Sequence, residues 1–126
     1  MSASPSSQVL PALEPQTALQ PLDPIVVHIN CAADHTHSLR VWRSTFLLDC
    51  HSTLTSEMIR WENISLYPHW TVLPPGRPFK FTLFFNGLPK SVTSFDLSEI
   101  IPEPNGFYFP NIRRNAQDVY TLDYPG

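Results

Sequence analysis

Cys31, His35 and His37 fall within seven residues, with His28 before them and Cys50-His51 further on. Thiolate and imidazole are the ligands zinc prefers, so this cluster is the first candidate for chemistry. Structural zinc relies on compact pairs such as C-x2-C or H-x3-H, and neither spacing occurs. His35 and His37 flank Thr36 in a stretch that reads as a turn, where solvated histidines are ordinary; no metal and no cofactor are expected. The second candidate is the set of carboxylates Asp96, Glu99 and Glu103, with Glu62. Glycoside hydrolysis needs two carboxylates facing across a cleft, and calcium loops need a D-x-D-x-D-G spacing that is absent. A solvated, acidic strand end is the expected reading. Cys50-His51 resembles a nucleophile beside a base, but neighbours on a strand point to opposite faces. No G-x-S-x-G occurs, and four glycines leave no phosphate-cradling loop. The chain is therefore expected to be no enzyme.

Aromatic residues are the abundant feature with binding potential. Trp42, Trp61, Trp70, Tyr67, Tyr108 and Tyr120 have the chemistry of a platform for sugar or peptide, although β-sandwiches also use tryptophan as core. Trp70 lies beside Pro68 and His69 in a connection, where exposure is expected; Tyr67, His69 and Trp70 form the ligand-binding candidate. The expected function is a non-enzymatic binding or accessory module that contacts another protein through a sheet edge, a loop or an N-terminal arm. The alternative is a carbohydrate-binding β-sandwich that uses its exposed aromatics.

Composition limits the remaining classes. The 126 residues suit one domain, and a hydrophobic share of 42% is enough for a core. The net charge is −3, and the 8 basic residues form no run longer than Arg113-Arg114. Nucleic acid needs a far denser cationic footprint, so no nucleic-acid partner is expected. No apolar run approaches the roughly 20 residues of a bilayer span. The N-terminus shows neither a basic n-region nor an apolar h-region, so the sequence as it stands reads as cytoplasmic, and as exported if the true start lies upstream. Cys31 and Cys50 are expected as buried free thiols, their pairing across neighbouring strands being the alternative.

The 14 prolines dictate the organisation. Met1 to about Asp23 reads as a disordered proline-rich arm, because Pro5, Pro11, Pro15 and Pro21 recur too often for helix. Residues 24–126 read as an all-β domain. Ile25, Val27, Ile29 and Cys31 alternate with polar or outward positions, the period-2 mark of a half-buried strand. After the turn at residues 33–37, Leu39 and Val41 give way to Trp42, Phe46 and Leu48, so the inward face is expected to shift to even positions. A bulge near Arg43-Ser44 or a break into two strands would both do this. Glu57 to Ile64 reads as a short strand or an edge segment, and Leu66 to Pro75 as a proline-punctuated connection able to pair at an edge. Phe79, Phe81, Leu83 and Phe85 line one face of the clearest strand, with Lys80 and Thr82 expected at the surface opposite. Asn86-Gly87 signals a turn, after which Val92 to Leu97 is expected to return antiparallel with Phe95 and Leu97 inward. Phe107 to Phe109 and Val119 to Tyr124 supply the last strands. About six to eight short strands without helical periodicity indicate an antiparallel immunoglobulin-like β-sandwich.

The stretch Asn63-Ile64-Ser65-Leu66-Tyr67-Pro68, the strand and turn Phe79 to Lys90, and Ser94-Phe95-Asp96-Leu97-Ser98-Glu99 resemble a group of uncharacterised bacterial immunoglobulin-like β-sandwich domains. Ile101 to Phe107 and Asn111-Ile112 are similar to the same group's tail, so the resemblance runs from about Val41 to Tyr124. It implies the sandwich fold and adds no catalytic residue. Members of the group are often exported or joined to other domains; here the arm stands where a signal peptide would be.

Overall fold

The computed structural model describes residues 22–32 and 38–124. Period-2 burial organises these residues into ten strands: β1 (Ile25–Cys31), β2 (Ser38–Val41), β3 (Thr45–Asp49), β4 (Thr55–Glu62), β5 (Ser65–Leu66), β6 (Thr71–Val72), β7 (Phe79–Phe85), β8 (Ser94–Glu99), β9 (Tyr108–Arg113) and β10 (Val119–Tyr124). The class is all-β, as the alternating pattern requires. Ten strands form where six to eight were expected, because the two-residue β5 and β6 arise in the proline-punctuated connection and β2 separates from β3. The expected arm lies outside the described residues except for Leu22 and Asp23, which are exposed and belong to no strand.

Seven strands form one sheet in the order β10-β1-β7-β4-β3-β8-β9, and β5-β2-β6 form a second. β4 joins the two halves of the larger sheet. Its residues Thr55 to Glu57 pair with β3, whereas Met58 to Glu62 pair with β7, and the register shifts between Met58 and Arg60. A bulge of this kind bends a strand and lets it serve two neighbours. The halves meet through aromatic rings. Phe95 of β8 sits edge-on to Tyr120 of β10 at 5.2 Å, and Phe107, just before β9, meets Phe81 of β7 at 5.7 Å and Tyr124 of β10 at 4.9 Å. Ile25, Val27, Ile29, Leu47, Leu83, Phe85, Phe95 and Leu97 complete the core.

The pairing is not wholly antiparallel. β1 runs parallel to β10 and antiparallel to β7, and β2 runs parallel to β5. β7 and β8 do not form the expected hairpin; β7 pairs with β1 and β4, and β8 pairs with β3 and β9. Gly87 serves a different purpose. A Cβ there would overlap the Asp23 carbonyl oxygen and lie 2.8 Å from the Leu22 Cβ, and its φ is +111°. The glycine is needed for the close approach of the incoming chain rather than for a tight turn.

Burial phases mostly follow the sequence pattern, with three exceptions. In β3 the inward residues are Thr45 and Leu47, not Phe46 and Leu48. The chain breaks at Trp42 to Ser44 and resumes in the same parity, and Thr45 tolerates burial because its hydroxyl donates to the Trp42 carbonyl at 2.7 Å. Thr82 faces away from the core yet is buried, sharing a 2.7 Å hydrogen bond with His28 Nδ1 directly across from it on β1. Cys31 and Cys50 are both free, but Cys50 is exposed in the turn after β3 instead of buried.

Candidate functional site

The short sheet β5-β2-β6 builds the most developed surface feature. On β2, Leu39 and Val41 point inward, so Arg40 between them points out. β5 and β6 flank β2, and the loop between them carries Tyr67, Pro68, His69 and Trp70. That loop is pinned at its base. The Ser65 N–H donates to Thr71 Oγ1 at 2.7 Å, the His69 N–H donates to the Leu66 carbonyl at 3.0 Å, and the Tyr67 N–H donates to the Val41 carbonyl at 2.8 Å.

Four side chains stack in sequence on this base. The rings of Trp42 and Tyr67 lie 3.7 Å apart with planes 28° from parallel. The Arg40 guanidinium sits 4.6 Å from the Tyr67 ring centre and 3.8 Å from that of Trp70. Each cation–ring contact contributes about 0.5–1 kcal/mol at an exposed site. Arg40 also donates to the Pro68 carbonyl at 3.2 Å and pairs with Glu103 at 3.5 Å. Its side chain is only 14% exposed, while Trp70 is 55% and Tyr67 is 42% exposed. The result is a fixed guanidinium between two partly open rings.

A cleft of about 220 Å³ adjoins the stack, lined among others by Arg40, Trp42, Trp70, Glu99, Glu103 and Phe107. Glu99 is its buried charge. On β8 the residues Phe95, Leu97 and Glu99 share the inward face, so the period that buries the first two also buries the third. Its Oε2 accepts the Trp42 N–H at 2.7 Å and its Oε1 accepts the Phe107 N–H at 3.1 Å. Burial pushes its carboxyl above the usual range, with the two N–H donors and Arg40 acting in the opposite direction and Glu103 adding to the rise. The expectation of a solvated acidic strand end fails at Glu99.

The candidate residues divide accordingly. Tyr67 and Trp70 come together, joined by Arg40 and Trp42; His69 is exposed on the same loop. The wider aromatic set does not form one platform. Trp61 lies by Arg43 at 5.3 Å, Tyr108 sits on β9, and Tyr120 is buried in the core. Of the metal candidates, Cys31 faces the core, where burial pushes its thiol up to about 11 and opposes the thiolate a metal requires; His35 and His37 lie outside the described residues. Among the described residues no group of three metal-ligating side chains converges, and no helix is long and apolar enough to cross a membrane. Cys50 and His51 occupy a turn, where Cys50 Sγ lies 3.4 Å from Asp96 Oδ1 and His51 Nε2 lies 3.4 Å from Ser94 Oγ. Thiol and imidazole thus engage different partners rather than each other. Arg40 is not singled out by the sequence, and Glu99 stands there only within a carboxylate set whose expected reading is a solvated strand end; the readable sign of its burial is the phase it shares with Phe95 and Leu97. No family model, curated protein or solved structure gives a significant match to this chain.

Proposed function

We propose that this chain is a non-enzymatic binding module that recognises another protein through the Arg40–Trp42–Tyr67–Trp70 surface and the cleft beside it. The observation that carries the reading is the Arg40 guanidinium held between Tyr67 and Trp70. Tryptophan, tyrosine and arginine are the residues most often found at the energetic centre of protein interfaces, and here they are fixed before any partner arrives. A sugar platform would need open ring faces. Here Trp42 and Tyr67 cover one another, and Arg40 covers a face of Trp70. An immunoglobulin-like sandwich of the kind found in bacteria accords with this role. The reading draws on the resemblance in residues 63–68, 79–90 and 94–99 and on the facing halves joined by β4.

Affinity capture from the native cell, with wild type beside Trp70→Ala and with an oligosaccharide panel in parallel, tests the proposal. A protein retained by wild type and weakened roughly thirtyfold by Trp70→Ala, equivalent to about 2 kcal/mol, is the expected result. Trp70-dependent retention of an oligosaccharide, or protein capture indifferent to Trp70→Ala, would overturn it.

A further inference from the structure

We propose that the cleft receives a lysine or arginine side chain of a protein partner, its cationic head resting on the Glu99 carboxylate. The inference rests on the protein-binding reading above and names the chemistry of what is bound. Glu99 is 7% exposed, yet among the described residues no cationic side chain lies within ion-pair distance of it. Two backbone N–H groups occupy part of its acceptor capacity. A carboxylate has about four lone-pair positions, so further donors can be accommodated. A buried carboxylate without a counter-charge is unfavourable, and an incoming cation relieves that.

The other charges of the lining are directed elsewhere. Among the described residues Arg40 pairs with Glu103 at 3.5 Å rather than with Glu99, on which its charge acts only at longer range. An acidic side chain entering the cleft would meet two carboxylates, and a neutral one would leave Glu99 as it is. The same surface already holds one cation by the proposed means. Arg40 lies on the rings of Tyr67 and Trp70 and donates to the Pro68 carbonyl and to Glu103. Trp42, Trp70 and Phe107 line the cleft and offer apolar surface to an aliphatic stem. Its volume of about 220 Å³ falls below the roughly 300 Å³ at which pockets for whole small-molecule ligands begin, and suits a single side chain.

The test titrates the full chain at millimolar concentrations with Nα-acetyl-arginine amide and Nα-acetyl-lysine amide, using Nα-acetyl-citrulline amide as the uncharged isostere. NMR follows the indole N–H of Trp42 and Trp70 and the Phe107 amide. Saturable shifts with the cationic amides, weakened roughly tenfold or more with citrulline amide and in Glu99→Gln, are expected, with Glu62→Gln unchanged. Equal shifts with citrulline amide, full binding by Glu99→Gln, or no shift with either cationic amide would overturn the inference. Should Glu99→Gln fail to fold, the citrulline comparison and Glu103→Gln decide, because Glu103→Gln unmasks Arg40 and must weaken cation binding. Absence of cation binding while Trp70→Ala still abolishes partner capture would overturn this inference and leave the protein-binding reading standing.

Discussion

Phe81 and Thr82 are adjacent on β7 and both are buried, but different forces hold them. Phe81 belongs to the core and touches Phe107; replacing it with alanine removes transfer energy and leaves a cavity, a loss of about 3–5 kcal/mol. Thr82 contributes chiefly its bond to His28, so Thr82→Ala should cost about 1 kcal/mol rather than nothing. Urea denaturation of both variants checks this, and equal effects would contradict the one-sided packing of β7. Glu99 carries a pH signature of its own. Its folded-state carboxyl titrates higher than an unfolded glutamate, near 4.3, because burial disfavours the charge. The native state therefore holds the proton to higher pH, and stability present below that value declines as pH rises through the folded pKa. Glu99→Gln has no such decline. Its stability should lie furthest below wild type in acid and gain on wild type towards neutrality. A constant difference from pH 4 to pH 7 would show that Glu99 is not strained by burial.

Elements with one buried face were the legible ones. β1 and β8 follow their period-2 patterns because a mostly polar, half-buried face opposes a buried one, and β7 keeps Phe81, Leu83 and Phe85 inward although Thr82 and Phe84 opposite are also covered. In β3 the pattern misleads because Phe46 and Leu48 are apolar on the half-buried face while a threonine sits inward; hydropathy alone cannot tell those faces apart. Tyr67 and Trp70 stood out through their proline-rich loop. Arg40 does not, and Glu99 reads only as a solvated carboxylate, since their roles depend largely on contacts distant in sequence, such as Arg40 with Tyr67 and Glu99 with Trp42. Gly87 shows the same limit, because its reason for being glycine is a segment more than sixty residues earlier. Gly87→Ala should destabilise the fold by about 1–3 kcal/mol or more, combining an unfavourable φ with overlap of the Asp23 carbonyl. Gly76 also has positive φ but open space around its Cβ position, so Gly76→Ala should show only the smaller backbone penalty of about 1 kcal/mol. Thermal melts that rank the two variants the other way would refute the close-approach account.

At the scale of the whole molecule, a polar clamp ties the β9–β10 connection to the β7–β8 connection. Arg114 donates to the carbonyls of Leu88, Pro89 and Val92 and forms a two-pronged pair with Asp118. Tyr120 Oη donates to Asp118 Oδ1 at 3.0 Å and accepts the Asn115 N–H at 3.0 Å. Both ionic partners are shielded, with side chains 10% and 6% exposed. Hydrogen bonding to Arg114 is the largest influence on Asp118 and holds its carboxyl below the usual range against the opposing effect of burial, while Asp118 in turn raises Arg114. Removing one partner of such a pair leaves the other charge buried and unmatched, so Asp118→Asn should lower stability by roughly 3 kcal/mol at neutral pH. The sign with pH follows from the depressed carboxyl: its contribution is complete above the unfolded aspartate value of about 3.9 and is lost as pH falls through the lower folded value. Urea midpoints of wild type and Asp118→Asn should therefore be furthest apart near pH 7 and converge in strong acid, where the wild-type carboxyl is also neutral. A gap that stays constant down to pH 2 would mean that the clamp stabilises the fold through shape and hydrogen bonding alone, with no share from the charge on Asp118.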